Sequence, residues 1–191
     1  METEDRAAQI DGIDLDNLKA TVTMFRDHPD LARFKFRARN VWKMGTHNQT
    51  QIERFYGAGQ EDTSRPEPIA IEADEPPLLL GHNAGANPVE HVLVALSSCL
   101  TTSLVANAAA RGIRLRAVTS KLEGDLDVRG FLGLSDEVRN GYQNIRVSFE
   151  IDADAPEETL RELVEIAKQR SPVFDIVSHG VPVEVGLASS P

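Results

Sequence analysis

Between His91 and Arg111 the chain carries no charged side chain, within a segment that starts at Asn87 and ends at Gly112. Both ends are marked. Asn87 is a natural N-cap, Pro88 suits the first turn, and Glu90 completes an Asn-x-x-Glu capping box. Gly112 fits the residue that closes a helix just past its last turn. The helix so bounded is about 36 Å long at 1.5 Å per residue. A helix apolar on all sides must be covered on all sides. A sheet wrapped around it, or a second copy of the chain, would cover it, and both are expected.

Residues 89–110 are also the only stretch apolar enough to suggest a membrane span. They contain Ser97, Ser98, Thr101, Thr102, Ser103 and Asn107, and ordinary soluble sequence surrounds them. The segment therefore reads as a buried helix. The start, Met1-Glu-Thr-Glu-Asp-Arg, has no signal-peptide pattern, so the expected location is the cytoplasm. A formal charge of −10 argues against nucleic acid or an anionic membrane as the main partner. At 191 residues with 41% apolar residues, the chain has material for one cored domain with a small appendage.

Residues 1–12 are polar and expected to fray. A short amphipathic helix is predicted over 14–27. Residues 33–43 alternate basic and apolar as a half-buried strand does. A turn over 44–48 leads to a second strand at 49–56. A polar loop at 57–67, a strand at 68–73 and an irregular stretch at 81–87 bring the chain to the long helix. Beyond it, strands are predicted at 113–128 and 142–152, with a loop at 129–141 between them. Asp154-Ala-Pro-Glu157 reads as a second capping box, opening a helix over 155–170 that Ser171-Pro172 interrupts. Residues 173–178 suit a short helical turn. Val181-Pro-Val-Glu-Val-Gly-Leu187 reads as a final strand, with Pro182 placing it at an edge. Long hairpins in this order indicate α+β with antiparallel sheets.

Cys99, in the middle of the long helix, is the only cysteine and so forms no intrachain disulfide. It is either a buried small hydrophobe or a nucleophile. It lies about three turns from the helix N-terminus, too far for the helix dipole to lower its pKa much. Any activation must come from other segments. Glu90 is nine residues earlier, about 180° away around the axis, so the two cannot share a face without a second subunit or a bend. The histidines 28, 47, 82, 91 and 179 form no metal-ligand spacing, and no zinc, cofactor or nucleotide motif is present.

Gly-Ala-Asn-Pro-Val-Glu-His-Val-Leu-Val-Ala-Leu-Ser-Ser-Cys-Leu-Thr-Thr-Ser-Leu closely resembles the signature helix of the OsmC/Ohr family. The helix and closing strand over 155–187 and the N-terminal hairpin resemble that family too, so the likeness spans about residues 33–188. It implies an OsmC-like fold: antiparallel sheets around a long buried central helix, in an intertwined homodimer with two active sites at the interface. Residues 1–30 would be an extension and 31–188 the OsmC-like domain. It implies a thiol peroxidase that reduces organic hydroperoxides, with Cys99 at the attacking position. The chain departs from the pattern in three places. The second family cysteine falls at Ser171. The family acid falls at Val89, with Glu90 one step later. The 44–48 turn, where an Arg is expected, has none. One reading is therefore a one-cysteine peroxidase using an external thiol reductant, with His47, Lys43 or Glu90 as helpers. The alternative is a non-peroxidase homodimer that binds a small apolar or electrophilic ligand at the interface, with Cys99 as pocket wall.

Overall fold

The computed structural model describes residues 9–188. The fraying expected for residues 1–8 lies outside that range. Residues 9–14 form a small hairpin, β1 (Gln9–Ile10) with β2 (Ile13–Asp14), rather than a frayed end. Asp14 then caps helix α1 (Leu15–Asp27), accepting hydrogen bonds from the backbone of Asp16 and Asn17. A 3-10 turn at Pro29–Ala32 follows.

The predicted N-terminal hairpin is present with shifted ends. Strand β3 (Ala38–Met44) pairs antiparallel with β4 (His47–Ile52). Gly45 supplies the positive φ of 59° that closes the turn, so His47 belongs to a strand and not to the turn. Two-residue strands β5 (Tyr56–Gly57) and β6 (Gln60–Glu61) make a minor hairpin. β7 (Ile69–Ala73) joins β4 and completes a three-stranded sheet in the order β3-β4-β7. A 3-10 turn at Pro77–Leu79 leads toward the long helix.

Helix α2 (Pro88–Ala110) forms as the caps predict. Asn87 Oδ1 accepts from the Val89 N–H at 2.8 Å, and Glu90 Oε2 accepts from the Asn87 N–H at 2.8 Å. Gly112 takes a φ of 73° beyond its end. Strand β8 (Leu115–Asp125), the short helix α3 (Val128–Phe131) and strand β9 (Asn144–Ala153) follow. β8 and β9 form a long antiparallel ladder with regular alternation of inward and outward residues. Helix α4 (Glu157–Arg170) starts later than predicted, and its N-cap is Pro156 without a side-chain bond. Ala155 precedes a proline, which keeps it out of the helical region, so the Asp154–Glu157 box does not form. Ser171 ends α4 and caps α5 (Pro172–His179).

The core sits where α2 crosses α4 over the β8–β9 ladder. Leu104 and Ala108 of α2 meet Leu163 and Ala167 of α4, with Val118, Phe149 and Ile151 packed around them. The fold is thus α+β with small antiparallel sheets and helices.

Two expectations are not met within the single chain. α2 is covered by β8, α4 and α5 on one side only, and Val94, Ala95, Ser98 and Thr102 are exposed on the other. Residues 181–187 form no strand, and Val183 and Leu187 stand 76% and 101% exposed. A strand needs a neighbour to take its backbone hydrogen bonds, and no edge among the described residues pairs with this segment.

Candidate functional site

Cys99 is half-buried, midway along α2. Val92 lies seven residues before it and Ala106 seven after. Seven residues are about two turns, so all three fall within about 20° of one line along the helix, roughly 10 Å apart. A cavity opens at each end of that line. The N-terminal one, about 450 Å³, is walled by Val89, Val92, Leu96, Val147, Phe174 and Val177, with Arg139 and Tyr142 beside them. The Tyr142 hydroxyl donates to the Val89 carbonyl at 3.0 Å, and burial together with the nearby Glu90 raises its pKa. Arg139 makes no ion pair among the described residues. A small apolar molecule fits such a space, and the two polar groups would orient it.

Ser171 is buried, and its Oγ accepts from the Phe174 N–H at 3.1 Å. The position that resembles the second family cysteine is therefore an N-cap. A hydroxyl accepts this bond better than a thiol does.

His47 and Glu90 are both engaged elsewhere in the chain. Glu90 serves the α2 cap. His47 Nε2 lies 2.8 Å from Glu72 Oε2, so that nitrogen carries the proton given to the carboxylate. Gln49 donates to the other Glu72 oxygen at 2.6 Å. The Gln49 and His47 bonds, in that order, hold the Glu72 carboxyl below its usual range, with a further contribution from Lys43. His91, in the first turn of α2, donates from Nε2 to the Glu72 carbonyl at 3.3 Å. The structure thus gathers His47, Gln49, Glu72 and His91 beside the start of α2. Cys99 lies about 12 Å further along the helix from His91.

Asp74 holds this region in place. It is 1% exposed, and four donors meet its carboxylate. The Thr46 hydroxyl bonds Oδ1 at 2.6 Å and the Glu75 N–H at 2.9 Å, while the His82 and Ala84 N–H groups bond Oδ2 at 2.8 and 3.2 Å. These bonds, led by Thr46, depress its pKa strongly. One side chain therefore joins the β3–β4 turn to the 75–85 loop that delivers Asn87 to its cap. Gly81 and Gly85 let that loop pass close to the backbone of Glu75 and Glu72, where a Cβ would collide.

Sequence reading missed Glu72, Asp74, Arg139 and Tyr142. The partners of Glu72 and Asp74 come mostly from other strands and loops, so no local spacing announces them. Among the described residues, no group of three or more His, Cys, Asp or Glu side chains is placed to hold a metal ion.

A family model described as OsmC-like protein matches residues 81–186. Solved structures share the fold. An OsmC-like protein from Mycoplasma pneumoniae aligns with a TM-score of 0.58 at 16% identity, covering 76% of this chain and 88% of that one. An OsmC-like protein of unknown function from Vibrio cholerae gives 0.56 at 14% identity, covering 74% and 92%. An organic hydroperoxide resistance protein OsmC from Legionella pneumophila gives 0.51 at 15% identity, covering 76% and 90%. A comparison with curated proteins gave no match.

Proposed function

We propose that this chain, which belongs to the OsmC-like protein family, reduces organic hydroperoxides with Cys99 as the nucleophile. The observation that carries this reading is the half-buried thiol of Cys99 one turn from Leu96, a wall of an apolar cavity that Arg139 and Tyr142 border. The Legionella pneumophila hydroperoxide resistance protein of the same fold supports it.

The Cys99 thiolate attacks one peroxide oxygen. An S–O bond forms, the O–O bond breaks, and the alkoxide takes a proton and leaves as the alcohol. Cys99 is then a sulfenic acid. Ser171 has no thiol to resolve it, so an external thiol condenses with the sulfenic acid and releases water. A second external thiol displaces Cys99 and departs as a disulfide. Per turnover, one hydroperoxide and two thiols give one alcohol, one disulfide and one water. A reducing compartment, the cytoplasm, supplies such thiols.

The active form in this reading is a homodimer. The uncovered side of α2, the exposed apolar side of the β3-β4-β7 sheet and the unpaired 181–187 segment are the surfaces a second copy would cover. Glu90 faces away from Cys99 on its own helix and His47 is bonded to Glu72. A helper role for either one therefore requires the second protomer.

The test is direct. Purified protein is treated with cumene hydroperoxide and then with dimedone, a sulfenic-acid trap, or with an alkylating reagent. Dimedone should label Cys99 only after peroxide, and Cys99→Ser should consume none. A thiol that stays fully alkylatable after peroxide, or a Cys99→Ser variant with full activity, would end this reading.

A second reading has its own support. Ser171 replaces a thiol, and none of the side-chain hydrogen bonds found among the described residues involves Cys99. A homodimer that binds a small apolar or electrophilic ligand, with Cys99 as pocket wall, fits those facts. In that case Cys99→Ser keeps ligand affinity and peroxide leaves the thiol unchanged.

A further inference from the structure

The second cavity on the Cys99 line lies between α1 and the C-terminal end of α2. It has a volume of about 630 Å³, larger than the one near Val92. We infer that it binds a free single-chain aliphatic anion, of which an alkyl carboxylate is the simplest. The inference stands on α1 and the end of α2, and does not depend on the chemistry of Cys99.

Leu15, Leu18 and Val22 sit at positions i, i+3 and i+7 of α1 and form one wall. The opposite wall is Ala106, Ala109 and Ala110. Branched side chains facing single methyl groups would normally let two helices close on each other. Here they close only in part: Ala109 is covered, but α1 buries none of its residues and a cavity remains between the helices. An apolar concavity of this size takes a drug-sized apolar body, and a cleft between two helices gives a hydrocarbon chain two apolar walls to lie along.

The charge at the mouth chooses among apolar ligands. Lys19 and Arg26 both border the cavity, on the same edge of α1 and two turns apart. Lys19 has only a 4.0 Å pair with Asp16, in which both side chains are largely exposed, and Arg26 has no ion pair among the described residues. Among the described residues no acidic side chain lines the space, in a chain whose formal charge is −10. The C-terminal end of α2 carries the negative end of the helix dipole, which Lys19 and Arg26 have to outweigh, although three of its last carbonyls are already bonded. Those of Asn107, Ala108 and Ala109 accept bonds from the N–H groups of Arg111, Gly112 and Ile113. Apolar walls with two cations at the mouth, Arg26 without an ion pair among the described residues and Lys19 only weakly paired with Asp16, match a hydrocarbon tail with one anionic head.

The test uses the full chain and 11-(dansylamino)undecanoate, whose fluorescence rises in apolar surroundings. The wild type should bind it saturably. Filling the cavity with Ala110→Trp, or from the other wall with Val22→Trp, should lower affinity at least about tenfold with an unchanged melting curve. The Lys19→Ala/Arg26→Ala double variant should weaken the anionic probe by roughly tenfold, yet leave displacement by neutral undecanol unchanged. Cys99→Ser should bind as the wild type does, whatever becomes of its peroxidase activity. The proposal fails on any of four outcomes. These are no saturable binding, binding indifferent to both tryptophans, binding lost in Cys99→Ser, or binding only to phosphatidylcholine vesicles and not to free probe. It also fails if Ala110→Trp leaves the probe bound but converts a dimer to a monomer, because a second copy would then be the occupant.

Discussion

The two halves of the molecule treat their apolar side chains in opposite ways. Around β8, β9 and α4, the chain closes its own core, and Leu104 and Leu163 are fully buried. The β3-β4-β7 sheet does not. Its side carrying Trp42, Ile69 and Ile71, together with the hydrogen-bonded Asn40, Asn48 and Thr50, is open, with Trp42 at 69% exposure. The opposite side carries Arg39, Gln49, His47 and Glu72, with Val41 and Ala70 among them. Hydrogen bonds tie the open half to the start of α2: Asp74 holds the turn to the 75–85 loop, the Asn87 amide donates to Glu75, and His91 donates to the Glu72 carbonyl. Burial stabilises wherever it occurs. A buried carboxylate stabilises only while it is ionised and all its donors are in place.

Five substitutions test this contrast. Leu104→Ala strikes the closed half and should cost about 3 kcal/mol, read as a shift in the urea midpoint. A similar loss for Trp42→Ala in dilute, monomeric protein would break the contrast, since the sheet would then be packed after all.

Asp74→Asn should lower the melting temperature at pH 7 by about 5 °C. The Asp74 pKa is depressed by folding, so its contribution is present above the unfolded value and is lost as pH falls. The gap between wild type and Asp74→Asn should therefore narrow below about pH 4. A gap that widens on acidification would refute the clasp.

Ser171→Ala removes the α5 cap within the closed half and should cost about 1 kcal/mol in urea denaturation. No change would mean that burial alone positions α5.

Trp42→Glu should alter monomer stability least, by less than about 0.5 kcal/mol. Light scattering at micromolar concentration is its readout. If a second copy covers the sheet, the variant is monomeric where the wild type is dimeric. A monomeric wild type would remove the homodimer from the proposed function.

Much of the secondary structure was legible because its signals are local. Asn87, Pro88, Glu90 and Gly112 bound α2 within one residue of its observed ends. The β3–β4 hairpin, the β8–β9 ladder and α4 follow from residues two to four positions apart. The signals failed where a neighbour had to be supplied. Residues 181–187 have the alternation of a strand but no edge to join. α2 has the composition of a fully buried helix, yet only one side is covered. The site was legible only in part. The uniqueness of Cys99 and its place on the helix were visible, as was the capping role of Glu90. The bonding of His47 to Glu72 was not, because the residues lie 25 positions apart and meet only through the pairing of β4 with β7.

By itself, the sequence determined the helix that carries Cys99, the absence of a second thiol, and the α+β pattern around them. Periodicity and caps act over one or two turns, so they can be read without a fold. Only the tertiary structure decided which side of α2 is covered, that Asp74 clasps the turn to the loop, and that cavities flank Cys99. Those facts depend on contacts between distant segments, which no local pattern encodes.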